Sequence, residues 1–91
     1  MSLQQLRYFV VVAEEQHVTR AAERLCISQP PLSRQIHALE DELGQRLLER
    51  RGRGIVLTEF GRYFTIEATA ILDHVAAVIS ESQRWPVPTV G

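Results

Sequence analysis

Leu3, Leu6, Val10 and Ala13, joined by Phe9, recur at the spacing of one helix face. Ser2 followed three residues later by Gln5 forms a capping box, so a first helix is expected from about Leu3 to Gln16. Thr19 is placed to cap a short second helix, Arg20 to Leu25. Its inner face, Ala21, Ala22 and Leu25, is small enough to let another helix approach closely. Cys26-Ile27 leaves room only for a turn, after which Ser28 is expected to cap a third helix. Pro30 and Pro31 then occupy the first turn, where an amide would have no intrahelical partner, so they mark a helix start. Leu32, Ile36, Leu39 and Leu43 continue as one apolar face, and Gly44 ends it.

Beyond Gly44 the period changes. Arg46 to Arg50 and Gly54 to Leu57, joined by Arg51-Gly52-Arg53, predict a small hairpin. Thr58 caps a last helix, with Glu59 suited to the dipole of its first turn. Phe64, Ala68, Ile71, Val75 and Val78 form a heptad seam within a helix expected to reach about Arg84. Pro86 and Pro88 stop it, and Trp85 to Pro88 should be extended. The predicted class is mainly α: a winged helix-turn-helix with a two-stranded wing and a long C-terminal helix. The winged domain is expected over 1–58 and the long helix over 59–85, followed by 86–91.

With 91 residues, the chain has room for one domain and one modest core. No run of 18 apolar residues occurs, so no membrane partner is expected. The first five residues lack the basic start and apolar stretch of a secretory signal. Cys26 is the only cysteine, which excludes an intrachain disulfide and suits a reducing cytoplasm. Cys26 is expected to be a small packed residue.

The net charge of −1 argues mildly against a nucleic-acid binder, but the distribution matters more. All ten basic residues are arginine, and Arg46, Arg50, Arg51 and Arg53 fall within eight positions. Arginine's planar fork suits phosphates and guanine edges. On a helical wheel Pro30, Pro31, Arg34 and Ala38 oppose the apolar face of the third helix, with Ser33 and His37 on the flank. Glu40, Asp41 and Glu42 in its last turn would repel phosphate, so only the N-terminal half suits a DNA groove. Arg34 is chemically fitted to guanine, and Gln29 and Gln35 to adenine or phosphate. Ser33 can address either kind of group. The rings of Pro30 and Pro31 present a flat apolar surface to thymine methyls or sugars. Arg53 at the hairpin tip can reach a minor groove or backbone, and Arg50 and Arg51 can hold phosphates. The Phe64 to Val78 stripe, with Leu72 and Ile79 beside it, is longer than one small domain can cover. It is expected to be a dimer interface.

Catalytic readings find little support. His17, His37 and His74 lie on separate predicted elements with no partner at metal spacing, and no glycine-rich phosphate loop is present. Glu40-Asp41-Glu42 is consecutive, so its carboxylates should splay around the helix as a solvated face. No enzyme activity, catalytic residue, cofactor or metal is expected. Two other classes stay open: a dimerisation module that uses this fold for protein contacts, and a small thiol or hydrolytic enzyme.

The stretch from Leu6 to Gly61 resembles the N-terminal domain of LysR-type transcriptional regulators. The match is carried by Leu-x-x-Phe, Ala-Ala-Glu-x-Leu, Ser-Gln-Pro-x-Leu-Ser-x-Gln-Ile, Leu-Glu-x-x-Leu-Gly, Leu-x-x-Arg and Leu-Thr-x-x-Gly. The resemblance implies a bacterial activator or repressor that binds an interrupted inverted repeat in double-stranded DNA. It implies a homodimer through the long linker helix, and tetramers in a full-length protein. A small-molecule effector would bind a separate C-terminal domain that this chain is expected to lack, with 86–91 as a hinge toward it. The family's base contacts map to Gln29, Pro30, Pro31, Ser33 and Arg34, and its wing contact to Arg53. Thr19 and Arg20 map near the DNA backbone, a role extended here to Ser28. The Gln-Pro-Pro-Leu-Ser-Arg-Gln run is similar to members that control aromatic-compound catabolism. Phe60 departs from the small residue the family often has there.

Overall fold

A computed structural model describes residues 1–89; positions 90 and 91, the end of the expected hinge, lie outside them. The order is α1 (Leu3–Glu15), α2 (Val18–Leu25), α3 (Gln29–Leu43), β1 (Leu48–Arg51), β2 (Gly54–Leu57) and α4 (Glu59–Ser82). α1 starts on the predicted capping box of Ser2 and Gln5, both of whose hydrogen bonds form at 3.0 Å. It ends where Gln16 turns left-handed at φ 54.

That turn shifts the next cap from its expected position. His17, not Thr19, precedes α2, and its Nδ1 accepts from the Arg20 amide at 3.3 Å. With Gln16 already ending α1, His17 is the one residue left extended between the helices, so α2 begins at Val18. Thr19 lies exposed within the first turn and donates to Gln29 Oε1 at 3.2 Å. Ser28 does precede α3, but its side chain makes no capping bond. A capping hydroxyl accepts from the second or third amide of a helix. Here those positions are Pro30 and Pro31, which have no N–H to give.

The core joins α1, α2 and α3 through Leu6, Phe9, Val12, Ala21, Leu32 and Leu39, all essentially buried. α4 enters this core through Phe64, whose ring lies 5.6 Å from that of Phe9, and through Ala68. Phe64 is 5% exposed and Ala68 is fully buried. These two members of the expected dimer seam therefore belong to the chain's own core. Leu72 packs partly against the same cluster. Further along, Ile71, Val78 and Ile79 are exposed, because α4 outruns the domain that covers its first half. The molecule measures 61 × 26 × 20 Å. By length and composition α4 is apolar enough to cross a membrane, which the absence of an uninterrupted apolar run had not suggested. Its helix ends at Ser82, two residues earlier than expected.

The wing is an antiparallel pair with Leu48 opposite Leu57 and Arg51 opposite Gly54. The loop is thus two residues, Gly52 and Arg53, and Arg51 is part of the strand. Gly52 takes φ +60, a left-handed angle that the turns favoured in hairpins require. The Ile55 amide donates to Gln16 O at 3.2 Å, which ties the wing to the α1–α2 turn.

Glu40 corrects another expectation. It is not part of a solvated acidic face: its side chain is 8% exposed. Its Oε2 accepts from the Leu47 amide at 2.7 Å and the Leu48 amide at 3.4 Å. Arg46 Nε lies 3.7 Å away. Position 40 follows Leu39 on the edge of the apolar face, where the chain returning from Gly44 brings two unpaired amides against it. Asp41 and Glu42 remain exposed, and Glu42 pairs with the N-terminal amine at 2.6 Å.

Cys26 is exposed, not packed, because it adopts the left-handed cap of α2 at φ 58 and its side chain leaves the core.

Candidate nucleic-acid interface

In the first two turns of α3 only Leu32 is buried. Gln29, Pro30 and Arg34 are exposed, while Pro31, Ser33 and Gln35 are half-buried. Leu32 and Ile36, anchored beneath, hold this surface outward. The two prolines leave Gln29 with the only backbone N–H in the first three helical positions, so the face relies on side-chain donors. The Gln35 side chain is tethered, accepting from Gln5 Nε2 at 3.0 Å. Gln29 accepts from Thr19, which links α2 to the start of α3. Arg20 and Ser28 are exposed beside them.

Across a cleft of about 130 Å³ lies the wing. Ser33 and His37 of α3 line one side and Arg50 of β1 the other. Arg51 and Arg53 are exposed further out on the hairpin. Of the five expected base-facing residues of α3, Ser33 shares this cleft with Arg50 of the wing, whereas Gln29, Pro30, Pro31 and Arg34 lie outside its lining. Glu40 lies at the base of the same cleft, with its carboxylate turned to the Leu47 and Leu48 amides. Elsewhere, Arg24 is held by Glu14 at 2.6 Å and Glu15 at 3.3 Å, and the hydrogen bond to Glu14 raises its already high pKa.

The seam residues fall into two groups. Phe64 and Ala68 are inside, and Leu72 is half-covered by the core. Ile71, Val78 and Ile79 are open to a partner, and Val75 is half-buried.

Two determinants of this geometry escaped the sequence reading. Glu40 fixes the entry to the wing, a role that neither its place in the three-acid run nor its place in the Leu-Glu-x-x-Leu-Gly motif revealed. Gly61 is the other. It is buried at the start of α4, and a Cβ there would overlap the Leu47 carbonyl oxygen. Thr58 completes the junction: its Oγ1 donates to Arg46 O at 2.6 Å and accepts from the Gly61 amide at 2.9 Å.

The model of the lysR family of bacterial regulatory helix-turn-helix proteins matches residues 3–62. The chain belongs to the LysR family. It is 51% identical over 84 residues to the HTH-type transcriptional regulator BenM of Acinetobacter baylyi, covering 92% of this chain and 28% of that protein. It is 50% identical to the regulator YnfL of Escherichia coli over the same shares of each. The chain therefore spans little more than a quarter of the length of these LysR-family relatives.

The fold is likewise that of LysR-type DNA-binding domains. The BenM DNA-binding domain in complex with catB site 1 DNA superposes with a TM-score of 0.89 at 51% identity, covering 92% of this chain and 93% of that one. The CbnR DNA-binding domain in complex with DNA superposes equally well at 45% identity, covering 92% and 97%.

Proposed function

We propose that this chain is the sequence-specific DNA-binding part of a bacterial LysR-type transcriptional regulator. It acts in the cytoplasm, without enzymatic activity, as a dimer on an interrupted inverted repeat. The observation that carries the reading is an α3 whose exposed start leads into a cleft that Ser33 shares with Arg50 of the wing, on an architecture shared with BenM and CbnR domains captured on DNA. Arg34, Gln29, Ser33 and the two proline rings would address bases from the major groove. Arg50 and Arg51 would hold phosphates, and Arg53 would reach the minor groove or backbone. Thr19, Arg20, Ser28 and Gln35 would position the backbone. Ile71, Val75, Val78 and Ile79 would pair with the same helix of a second copy. A small-molecule effector would act through a region outside these residues. The run from Gln29 to Gln35, similar to that of members that control aromatic-compound catabolism, supports placement near that subgroup.

Selection of bound sequences from a random duplex pool, followed by fluorescence titration at several salt concentrations, tests the reading. An enriched inverted repeat with steeply salt-dependent affinity is expected. Equal, salt-insensitive affinity for selected and random duplexes would sink it.

A further inference from the structure

The cleft between α3 and the wing holds a histidine that the base-reading and wing contacts leave unused. His37 lies one helical turn beyond Ser33 and Arg34, and its side chain is 72% exposed. Its Nδ1 lies 3.2 Å from Glu40 Oε1. A carboxylate only accepts, so Nδ1 carries the hydrogen, and the opposite ring nitrogen, Nε2, is left for a ligand. The other Glu40 oxygen is occupied by the Leu47 and Leu48 amides. The imidazole is thus held by a carboxylate that is itself anchored.

Resting on the DNA-binding reading, we propose that His37 is a phosphate-binding residue, oriented by Glu40, that tightens duplex binding as pH falls. With Arg34 in the major groove and Arg50 on the adjacent backbone, a phosphate strand must pass between helix and wing, beside the cleft lined by Ser33, His37, Arg46 and Arg50. Neutral Nε2 is an acceptor and offers a phosphate oxygen nothing. Protonated, it becomes a charged donor. Histidine is the side chain that makes this change between about pH 5 and 8.

The charged groups around the ring are Arg34, Glu40 and Asp41 on α3, Arg46 before β1, and Glu49 and Arg50 on β1. This set carries both signs of charge. An arriving phosphate adds negative charge whatever that balance, so binding must draw a proton onto the ring. The linked consequence is higher affinity at lower pH. His17 has the opposite sign. Its Nδ1 accepts from the Arg20 amide, so protonating that nitrogen removes the α2 cap next to the interface.

The test measures Kd for the selected duplex at about pH 6 and pH 8 and fixed ionic strength, for the wild type, His37→Gln and His17→Gln. For the wild type, about three- to fivefold tighter binding is expected at the lower pH. His37→Gln should abolish that gain and lower the salt slope at about pH 6 by roughly 0.9. His17→Gln should keep the gain. An unchanged pH response in His37→Gln, or no tightening at the lower pH in both the wild type and His17→Gln, overturns the proposal while salt-dependent duplex binding persists. Loss of salt-dependent binding in every protein at both pH values would instead overturn the DNA-binding reading, and this proposal with it.

Discussion

The Glu40 carboxylate on α3 accepts the backbone amide of Leu47 at 2.7 Å, and this bond ties the wing to the helix it flanks. Removing the acceptor leaves a buried amide unpaired. Glu40→Ala should therefore cost about 1.5–3 kcal/mol, as expected for a bond to a charged group. Thermal denaturation reads the loss. A variant melting with the wild type would show that water replaces the carboxylate freely.

Gly61 and Leu47 form the second junction. Because the obstacle to a Cβ is backbone, it cannot rotate away, and α4 must shift. Gly61→Ala should destabilise by roughly 1–3 kcal/mol, the usual range for overpacking. Urea unfolding measures it, and an unaltered midpoint would mean the junction yields without strain.

Residues of the α4 stripe should separate by their burial. Phe64→Ala should lower stability by about 3–5 kcal/mol, as for other buried aromatics. Ile71→Glu should leave the monomer fold intact by circular dichroism but abolish dimers in sedimentation. If Ile71→Glu sediments as the wild type does, the partner surface is elsewhere on α4.

Arginines of α3 and of the wing should also behave differently. Arg34→Ala should cost ~1–3 kcal/mol on the selected duplex and relax the preference at one base pair. Arg50→Ala should weaken all duplexes alike and flatten the salt slope by about one. Competition titrations against singly altered duplexes distinguish the two, and identical losses on every duplex would remove Arg34 from base reading.

The helices and hairpin were legible in the sequence because their signals are local. The Ser2–Gln5 box, the paired prolines, Gly44 and the 3.6-residue period each act within one or two turns. The arginines of α3 and the wing were legible as chemistry, since exposed charge follows from the same period. Glu40 was misread because a three-acid run looks solvated until two amides from a later segment arrive. Thr19 was favoured over His17 because capping preference omits the left-handed Gln16 that fixes where α2 must begin.

The sequence by itself determined the order of elements, the outward face of α3 and the cationic hairpin, because short-range sterics and capping specify them. Only the tertiary structure decided that Phe64 and Ala68 turn inward while Ile71, Val78 and Ile79 stay exposed, and that Glu40 and Gly61 set the wing. Burial depends on which distant segment arrives alongside, and a one-dimensional period cannot distinguish a face covered by its own domain from one left for a partner.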